Sequence, residues 1–225
     1  MSFKDKVVIV TGSSSGIGAA IAIKFSEVGA KVAIVGRNQK KLDNVAKKCK
    51  KPLVVVADMT KEEDVKRIIS ETIKHFGKLD ILINNAGMAQ FTNIMEENAI
   101  EIYNRVMATN LHSVVHLTHL AVPHIIKTKG NIINISSISS FIAALRVVAK
   151  QTFAYNTSKA AMDHFTRSVA AELASSGVRV NVVNPGPVSD PEEIADLVLF
   201  LASDKAKAIT GATFVSDYGS LIKAE

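Results

Sequence analysis

The sequence is poor in the residues that identify several classes of protein. Its 225 residues include one cysteine, no tryptophan and few aromatic residues of any kind, 5% in all. Cys49 has no partner for an internal disulfide, which is typical of a reducing compartment. No apolar run reaches the roughly 18 residues of a membrane span, and residues 1–6 lack the apolar core of a signal peptide. We therefore expect a cytoplasmic protein with no membrane association.

The charge of the chain does not indicate a nucleic-acid partner. The formal net charge is +6, and the densest basic run covers residues 40–51. This run is typical of a short solvated helix, and the low aromatic content offers little for base stacking. The excess of positive charge equally suits an anionic cofactor or substrate. With 48% hydrophobic residues and no linker, the chain is expected to form one globular domain over residues 1–225.

Short apolar runs alternate with longer amphipathic stretches along the chain. This alternation predicts an α/β fold with a doubly wound parallel sheet and helices on both of its faces. In such a sheet the ligand site lies beyond the carboxyl ends of the strands. The predicted strands are Val7–Val10, Val32–Val35, Leu53–Val56, Leu79–Ile83, Ile132–Ile135, Val178–Val183 and Thr213–Val215. The clearest helical stretches are Lys61–Phe76, Ile100–Ile126, Ala154–Ser175 and Pro191–Leu201.

A glycine-rich loop, Thr11–Gly18, lies between the first predicted strand and a helix. Such a turn places unpaired backbone N–H groups and the positive end of a helix dipole at one spot, where phosphate binds. Its spacing, G-x-x-x-G-x-G, differs from the common G-x-G-x-x-G, yet both need a tight turn and close backbone approach. The alternative is a loop that only turns the chain. The position between strand and helix favours a nucleotide site.

Tyr155 and Lys159 are four residues apart at the start of a helical stretch, so their side chains share one face. A nearby ammonium favours phenolate over phenol, and we expect it to lower the pKa of Tyr155 towards neutrality. The tyrosine would then act as an acid or a base at neutral pH. Alone, the Y-x-x-x-K pattern is common and usually marks a surface pair.

Together these motifs resemble those of the short-chain dehydrogenase/reductase family. The matches, in the family's order, are Thr11–Gly18, Asn84–Gly87, Asn110, the serines after the fifth strand, Tyr155 with Lys159, and Pro185-Gly186. The resemblance implies a Rossmann-type three-layer fold and hydride transfer between a nicotinamide cofactor and a carbonyl or secondary-alcohol carbon. It also implies a homotetramer. The motifs and the ending Ile209–Phe214 resemble the 3-oxoacyl-acyl-carrier-protein reductase-like branch.

The resemblance implies a role for each residue of a catalytic set. Tyr155 would protonate the alkoxide in the reducing direction, and Lys159 would hold the nicotinamide ribose. Asn110 would anchor a water, and a serine would hydrogen-bond the substrate oxygen. Ser137 is favoured as that serine by its place after the fifth strand, although it precedes Tyr155 by 18 residues, a longer interval than is usual. Ser139 and Ser140 stay possible, and most of the neighbouring serines should only turn or cap the chain.

Arg37 bears on the choice of cofactor. An acidic residue ending the second strand would bind the ribose hydroxyls of NAD(H), but that place is Gly36, followed by Arg37. A guanidinium pairs with a phosphate through two hydrogen bonds, so NADP(H) is favoured over NAD(H). The alternative is that Arg37 only caps a loop. The predicted cofactor residues are Gly12, Ser14, Ser15, Gly16, Ile17, Gly18, Arg37, Asp58, Asn85, Ala86, Gly87, Tyr155, Lys159, Pro185, Gly186 and Val188.

Three histidines, His112, His116 and His119, share one face of a predicted helix. Since that face carries no nearby carboxylate or cysteine, we expect a structural role and no metal site. In the family this helix commonly packs against its copy in another subunit, so these histidines suggest a pH-sensitive assembly.

The chain departs from the family pattern after Pro185-Gly186. Relatives have a substrate-covering segment of several helical turns there, whereas here Ser189 already begins the final β-α unit. Either the protein lacks a lid, or a lid belongs between Val188 and Ser189 and is absent from the sequence as given. The second interpretation is favoured because so short a connection should hardly reach the last helix. An intact mass near 24.1 kDa would contradict it.

Two functions follow from these residues. The first is an NADP(H)-dependent carbonyl reductase or alcohol dehydrogenase that acts on a small molecule. The second is a catalytically silent NADP(H)-binding regulatory or scaffold protein, which a truly absent lid would favour. Tyr218 stands where many relatives have glycine, so its surroundings should differ from theirs.

Overall fold

The computed structural model describes residues 2–142, 152–187 and 189–222. Within these residues, strands form one parallel sheet in the order β3-β2-β1-β4-β5-β6-β7. The chain reverses its direction of winding between β1 and β4, which is where ligands bind in open α/β sheets. The strands are β1 Val7–Thr11, β2 Lys31–Gly36, β3 Leu53–Val56, β4 Ile81–Asn84, β5 Asn131–Ile135, β6 Arg179–Pro185 and β7 Thr213–Ser216.

Helices cover both faces of the sheet. Helices α1, α2 and α7 pack on one face, and α3, α5 and α6 pack on the other. This arrangement confirms the predicted Rossmann-type three-layer fold. The helices are α1 Gly16–Glu27, α2 Gln39–Ala46, α3 Glu62–Phe76, α4 Ala99–Met107, α5 Ser113–Thr128, α6 Phe153–Leu173 and α7 Pro191–Ala202. No helix in the described parts of the chain has the length and apolar character needed to cross a membrane.

The apolar strands explain the two cores. Successive side chains of a strand point to opposite faces. In β1, Val8 and Val10 join the core under α1 and α7, whereas Val7 and Ile9 join the core under α3 and α5. All five residues of β1 are buried, as expected for a central parallel strand with helices on both sides.

The stretch predicted as one helix over Ile100–Ile126 is divided. A single π-helical turn, Ala108–His112, separates α4 from α5. The apolar periodicity runs through this turn without a glycine or proline, so the sequence pattern gave no sign of the break. Such π turns often occur at functional sites. Here the turn places Asn110 in the interior.

The connection from β6 to α7 is where the missing lid is predicted. β6 ends at Pro185 and α7 begins at Pro191, and a lid between Val188 and Ser189 stays a prediction. The Gly186 N–H donates to Ser189 Oγ at 2.8 Å, and Ser189 Oγ donates to the Ser216 carbonyl at 2.6 Å. Asp190 then caps α7 by accepting from the Glu192 N–H at 2.9 Å.

Candidate active site

A cleft of about 700 Å³ opens at the point where the sheet reverses its winding. Most of the predicted cofactor residues line it. Its walls are the glycine loop after β1, the segment after β2, Asp58 after β3 and the loop Asn85–Gly87 after β4. The cleft is therefore built from the carboxyl ends of four neighbouring strands.

The glycine loop is packed tightly on one side and open on the other. A Cβ on Gly18 would lie 2.4 Å from Asn85 Nδ2 and 2.5 Å from the Gly12 carbonyl oxygen. Gly12 also approaches the backbone of Ala86 too closely for a side chain. Gly16, at φ +57°, would place a Cβ in open space. The loop therefore leaves room for a ligand on the side that Gly16 faces.

The N-terminus of α1 has no side-chain cap. Ser15 occupies the capping position without a side-chain hydrogen bond, and the first turn contains no acidic residue. The first N–H groups of a helix carry partial positive charge and need acceptors. A phosphate at this position would supply them. The loop and the helix end thus fit the pyrophosphate of a dinucleotide.

Two side chains that the sequence analysis missed hold the loop in place. Thr11 Oγ1 accepts from the N–H groups of Asn85 and Ala86, each at 3.0 Å, and so joins the ends of β1 and β4. Ser13 Oγ accepts from the Val35 N–H at 2.8 Å and is fully buried. The sequence does contain a signal for both contacts, since a hydroxyl residue stands on each side of Gly12.

Arg37 and Lys41 put two cations at the β2 side of the cleft. Arg37 is exposed and makes no hydrogen bond or ion pair with the described residues. Its neighbour Asn38 caps α2, accepting from the Lys41 N–H at 3.0 Å. Across the cleft, hydrogen bonds from the backbone and side chain of Thr60 hold the pKa of Asp58 below its usual range, and Arg37 adds to this effect. Lys41 was missed because it lies in the basic run.

A second cavity of about 430 Å³ adjoins the cleft and shares Ile17, Asn85, Gly87 and Met88 with it. Ser137 and Tyr155 lie in its wall. Most of the remaining described lining is apolar and includes Phe91, Ile138, Ile142 and Pro187. The predicted catalytic pair therefore faces a largely apolar chamber next to the proposed cofactor cleft.

Ser137 and Tyr155 lie together in the chamber wall, and the side chain of Ser137 acts on the Tyr155 hydroxyl. Ser137 caps a short 3₁₀ turn, Ile138–Ser140, and Tyr155 lies in the first turn of α6. Burial raises the pKa of Tyr155 above its ordinary value, and the polar side chain of Ser137 partly opposes this shift. The direction is opposite to the one predicted from Lys159. In the protein alone, Tyr155 is a neutral phenol with a proton to donate.

Lys159 is 4% exposed and lies between Gly87 and β5. Its Nζ donates to the Ile135 carbonyl oxygen at 2.8 Å and lies 5.7 Å from the centre of the Tyr155 ring. Burial lowers the pKa of Lys159 to about 8, while Asp163 opposes the shift. The ammonium therefore contacts a carbonyl dipole and no described carboxylate, and burial is the largest effect on the pKa of Tyr155.

The π-helical turn aims Asn110 at the same region. Asn110 Oδ1 accepts from the Met88 N–H at 2.8 Å, and its Nδ2 donates to the Met88 carbonyl at 2.9 Å and to Ser158 Oγ at 3.0 Å. Ser158 Oγ in turn donates to the Tyr155 carbonyl at 2.7 Å. Asn110 thus ties the loop after β4 to the start of α6. Ser158 is a further residue that the sequence analysis did not place at the site.

The other serines are engaged elsewhere. Ser136 Oγ donates to the Lys159 carbonyl at 3.2 Å, and Ser140 Oγ accepts from Asn184 Nδ2 at 2.9 Å. Ser139 lines the chamber and offers its N–H to Ser137 Oγ at 3.1 Å. Of these serines, Ser137 lines the chamber with Tyr155, and its side chain acts on the Tyr155 hydroxyl.

The segment after β6 closes the chamber. Pro185 and Gly186 line it, and a Cβ on Gly186 would lie 2.7 Å from the Cβ of Asp217. Val188, also predicted at the cofactor site, lies outside the described residues. Tyr218 adopts a left-handed φ of +52°, a conformation that glycine adopts more easily. Its hydroxyl donates to Glu193, so this position has contacts that a glycine would not make.

His112, His116 and His119 line a shallow depression with Glu62. The rings of His112 and His116 are 6.3 Å apart between centres. In the described part of the chain, no group of three or more histidine, cysteine or acidic side chains is arranged to hold a metal ion. The depression shares Met59 with the cofactor cleft and no lining residue with the chamber.

Comparison with known proteins identifies the family. Residues 6–195 match the family model for short chain dehydrogenase. The chain belongs to the short-chain dehydrogenase family. Its members are oxidoreductases that bind a nicotinamide cofactor. This assignment also accounts for the fold, since helices flanking a parallel sheet of this order are shared with solved structures of the family.

Several relatives of this short-chain dehydrogenase are more than a third identical to it. An uncharacterized oxidoreductase of Staphylococcus epidermidis is 37% identical over 190 residues, covering 84% of this chain and 80% of that protein. L-fucose dehydrogenase of Bos taurus is 37% identical and covers 86% and 70%. Glucose 1-dehydrogenase of Gluconobacter oxydans is 35% identical over an alignment of 251 residues, covering 96% and 92%. Because this last alignment is longer than the 225-residue chain, that enzyme carries residues with no counterpart here.

Solved structures show the same fold. A short-chain dehydrogenase/reductase of unknown function from Caenorhabditis elegans, determined with cofactor, matches with a TM-score of 0.88 and 33% identity, covering 98% of this chain and 96% of that one. The apo form of glucose dehydrogenase from the same organism matches with a TM-score of 0.87 and 37% identity, covering 99% and 100%.

Proposed function

We propose that this short-chain dehydrogenase transfers hydride between NADP(H) and a carbonyl or secondary-alcohol substrate. The observation that carries the proposal is that Ser137 and Tyr155 lie together in the wall of the chamber next to the cofactor cleft, with Lys159 Nζ 5.7 Å from the centre of the Tyr155 ring. A bound nicotinamide cofactor supplies the hydride in the reducing direction and accepts it in the other. The apolar lining of the chamber limits access of water to the reacting oxygen.

The chain's own residues act on the substrate oxygen. Tyr155, held neutral by burial, donates its proton to the oxygen as negative charge develops there. The hydroxyl of Ser137 donates a hydrogen bond to the same oxygen and stabilises that charge. The Lys159 ammonium, near the Tyr155 ring, stabilises the phenolate that remains. Asn110 keeps the start of α6 and the loop after β4 in register.

Different residues of the cleft would hold different parts of the cofactor. The glycine loop and the uncapped start of α1 would hold the pyrophosphate, and Asn85–Gly87 would pass the adenine ribose. Arg37 supports NADP(H) over NAD(H) because an unpaired guanidinium at the end of β2 is available to a 2′-phosphate. Lys41 adds a second positive charge on the same side.

The class of substrate is the least constrained part of the proposal. The sequence resemblance implies the 3-oxoacyl-acyl-carrier-protein reductase-like branch, whereas two relatives are named for L-fucose and glucose. The substrate panel must therefore contain acyl thioesters, sugars and simple apolar ketones. A homotetramer and a cytoplasmic location complete the proposal, and both rest on resemblance and composition.

A carbonyl panel with NADPH tests the proposed reaction. We expect wild-type protein to oxidise NADPH with at least one carbonyl, and Tyr155→Phe to lose about 10²–10⁴-fold in kcat because the proton donor is removed. NADPH binding should persist in the variant. Tyr103→Phe is the matched control, since Tyr103 stacks on Phe153 outside the chamber, and it should keep full activity.

The panel also separates the proposal from its rival. If wild type and Tyr155→Phe bind NADPH equally well and oxidise it equally slowly with every carbonyl, the protein is a cofactor-binding regulatory or scaffold protein. Equal stimulation of both proteins by one carbonyl would instead exclude Tyr155 as the proton donor.

A further inference from the structure

A buried carboxylate lies close to the proposed catalytic residues and has no part in the proposed reaction. Asp163 lies one turn of α6 beyond Lys159 and is 4% exposed. Its Oδ2 accepts from Asn184 Nδ2 at 2.9 Å, and its Oδ1 has no hydrogen-bond partner among the described residues. Burying a carboxylate with so few partners is unfavourable, so its presence calls for a compensating role.

Asn184 connects this carboxylate to the turn that carries Ser137. Its Nδ2 lies 3.0 Å from the Ser137 carbonyl oxygen and 2.9 Å from Ser140 Oγ, as well as 2.9 Å from Asp163. The three acceptors, which share the two N–H groups of the amide, come from the turn after β5 and from α6, while Asn184 itself comes from β6. One amide therefore fastens the Ser137 turn to α6, and Asp163 fixes the orientation of that amide.

Asp163 also acts on Lys159 through space. No carboxylate of the described residues lies within 4 Å of Lys159 Nζ, whose described hydrogen bond goes to the Ile135 carbonyl. Burial favours the neutral amine, and Asp163 is the charged group that opposes it. The charged groups on neighbouring elements lie elsewhere: Glu101 and Arg105 are exposed on α4, and Arg179 begins β6 at the opposite end of the sheet.

We propose that Asp163 is a positioning residue that holds the Ser137 turn through Asn184 and places a negative charge one helical turn from Lys159. This inference rests on the proposed function and adds a residue to it. Asp163 contacts neither the chamber nor the cofactor cleft, so it acts only through other residues.

The substitution Asp163→Asn tests the charge and keeps the shape. An asparagine oxygen can still accept from Asn184, while the negative charge is lost. Without that charge Lys159 releases its proton at lower pH, so activity that needs the ammonium should decline earlier as pH rises. We expect the alkaline limb of kcat/KM for carbonyl reduction to move by about one pH unit towards neutrality. NADPH affinity and the midpoint of thermal unfolding are measured on the same variant to verify folding.

Ser140→Ala is the control within the same cluster. It removes one acceptor of Asn184 without changing any charge, so it should alter kcat modestly and leave the alkaline limb in place. If Ser140→Ala and Asp163→Asn shift the limb equally, the negative charge of Asp163 has no effect of its own on Lys159 and the proposal is overturned.

A second readout does not depend on catalysis. The titration of Lys159 can be followed through the ¹³Cε resonance of labelled lysine, assigned by its loss in Lys159→Met. The midpoint should be lower in Asp163→Asn than in wild type. An unchanged midpoint refutes the charge effect, even in a protein that reduces no carbonyl. If the wild type shows no Tyr155-dependent turnover and the midpoint is still lower in Asp163→Asn, the proposed function is refuted while the electrostatic role of Asp163 stands.

Discussion

The two ends of the parallel sheet differ in whether a buried charged side chain has an oppositely charged partner. At the amino end, Asp80 is 3% exposed and accepts from the Val7 N–H at 2.8 Å, with Lys78 at 2.9 Å and Lys6 at 3.4 Å. At the carboxyl end, the buried Lys159 has a carbonyl oxygen as its described partner. Charge is neutralised at the first end. At the carboxyl end, the charge of Lys159 stays available to a ligand and to Tyr155.

Two helices that pack on each other repeat this contrast. The N-terminus of α7 is capped by Asp190 and has Glu192 and Glu193 in its first turn. The N-terminus of α1, which faces the cleft, has neither a side-chain cap nor an acidic residue. The same partial positive charge is satisfied within the protein in α7 and left for an anion in α1. Unsatisfied polar groups at one end of a well-packed sheet therefore mark the binding site better than any single motif does.

A pair of glycine substitutions should give the largest difference between the two ends. In Gly18→Ala the new Cβ meets Asn85 and the Gly12 carbonyl, and in Gly130→Ala it meets the Asp80 carbonyl oxygen at 2.1 Å. Both should lower the free energy of unfolding by roughly 1–3 kcal/mol, the usual cost of overpacking. Only Gly18→Ala should weaken NADPH binding, by about 100-fold or more, a loss of about 3 kcal/mol.

Urea unfolding and NADPH fluorescence titration measure the two effects. The contrast between the sheet ends would be refuted if Gly130→Ala, once folded, lost cofactor affinity as severely as Gly18→Ala.

The strands and the order of the motifs could be predicted from the sequence. Runs such as Val7–Val10 are apolar on both faces, and a parallel strand covered by helices needs that composition. The glycine loop was recognisable because its requirements are local: a tight turn, a positive φ at Gly12 and Gly16, and a helix start. Requirements that neighbouring residues meet can be recognised directly in the sequence.

Features that depend on packing left no such trace. The π-helical turn at Ala108–His112 interrupts a continuous apolar periodicity, since its position is set by the contacts of Asn110 with Met88 and Ser158. The pKa of Tyr155 was predicted from the spacing to Lys159 alone, but burial dominates it. Spacing shows which side chains share a helix face, whereas burial and partners decide the energy of their charges.

The buried Lys159 should make stability depend on pH in a way that the amino end does not. Its pKa is about 8 in the folded protein, against 10.5 ordinarily. Between these values the unfolded chain binds more protons, so the free energy of unfolding should rise with pH. From pH 7 to 9.5 this contribution is roughly 2 kcal/mol. It should be missing in Lys159→Met, which keeps an unbranched side chain without the charge.

Urea denaturation of wild type and Lys159→Met at pH 7, 8.5 and 9.5 measures the contribution of Lys159 to the free energy of unfolding, because every other titrating group is common to the two proteins. Parallel stability curves for wild type and Lys159→Met would show that Lys159 is not held at a depressed pKa. Asp80→Asn serves as the amino-end reference and should lower stability without removing the rise.

The smallest expected effect is a change in NADPH affinity, and it follows from comparing two arginines at opposite ends of the sheet. Arg179 begins β6 and donates to the Ser203 carbonyl at 3.2 Å and the Ile209 carbonyl at 3.3 Å, whereas Arg37 follows β2 without a described partner. Arg37→Ser should therefore leave stability unchanged and raise the Kd for NADPH about tenfold, the equivalent of one charge-assisted hydrogen bond. The Kd for NADH should not change, because NADH has no 2′-phosphate.

Lys40→Ser, an exposed neighbour outside the cleft, controls for the loss of one positive charge. Equal weakening of NADPH and NADH binding by Arg37→Ser would mean that this guanidinium does not select the phosphorylated cofactor.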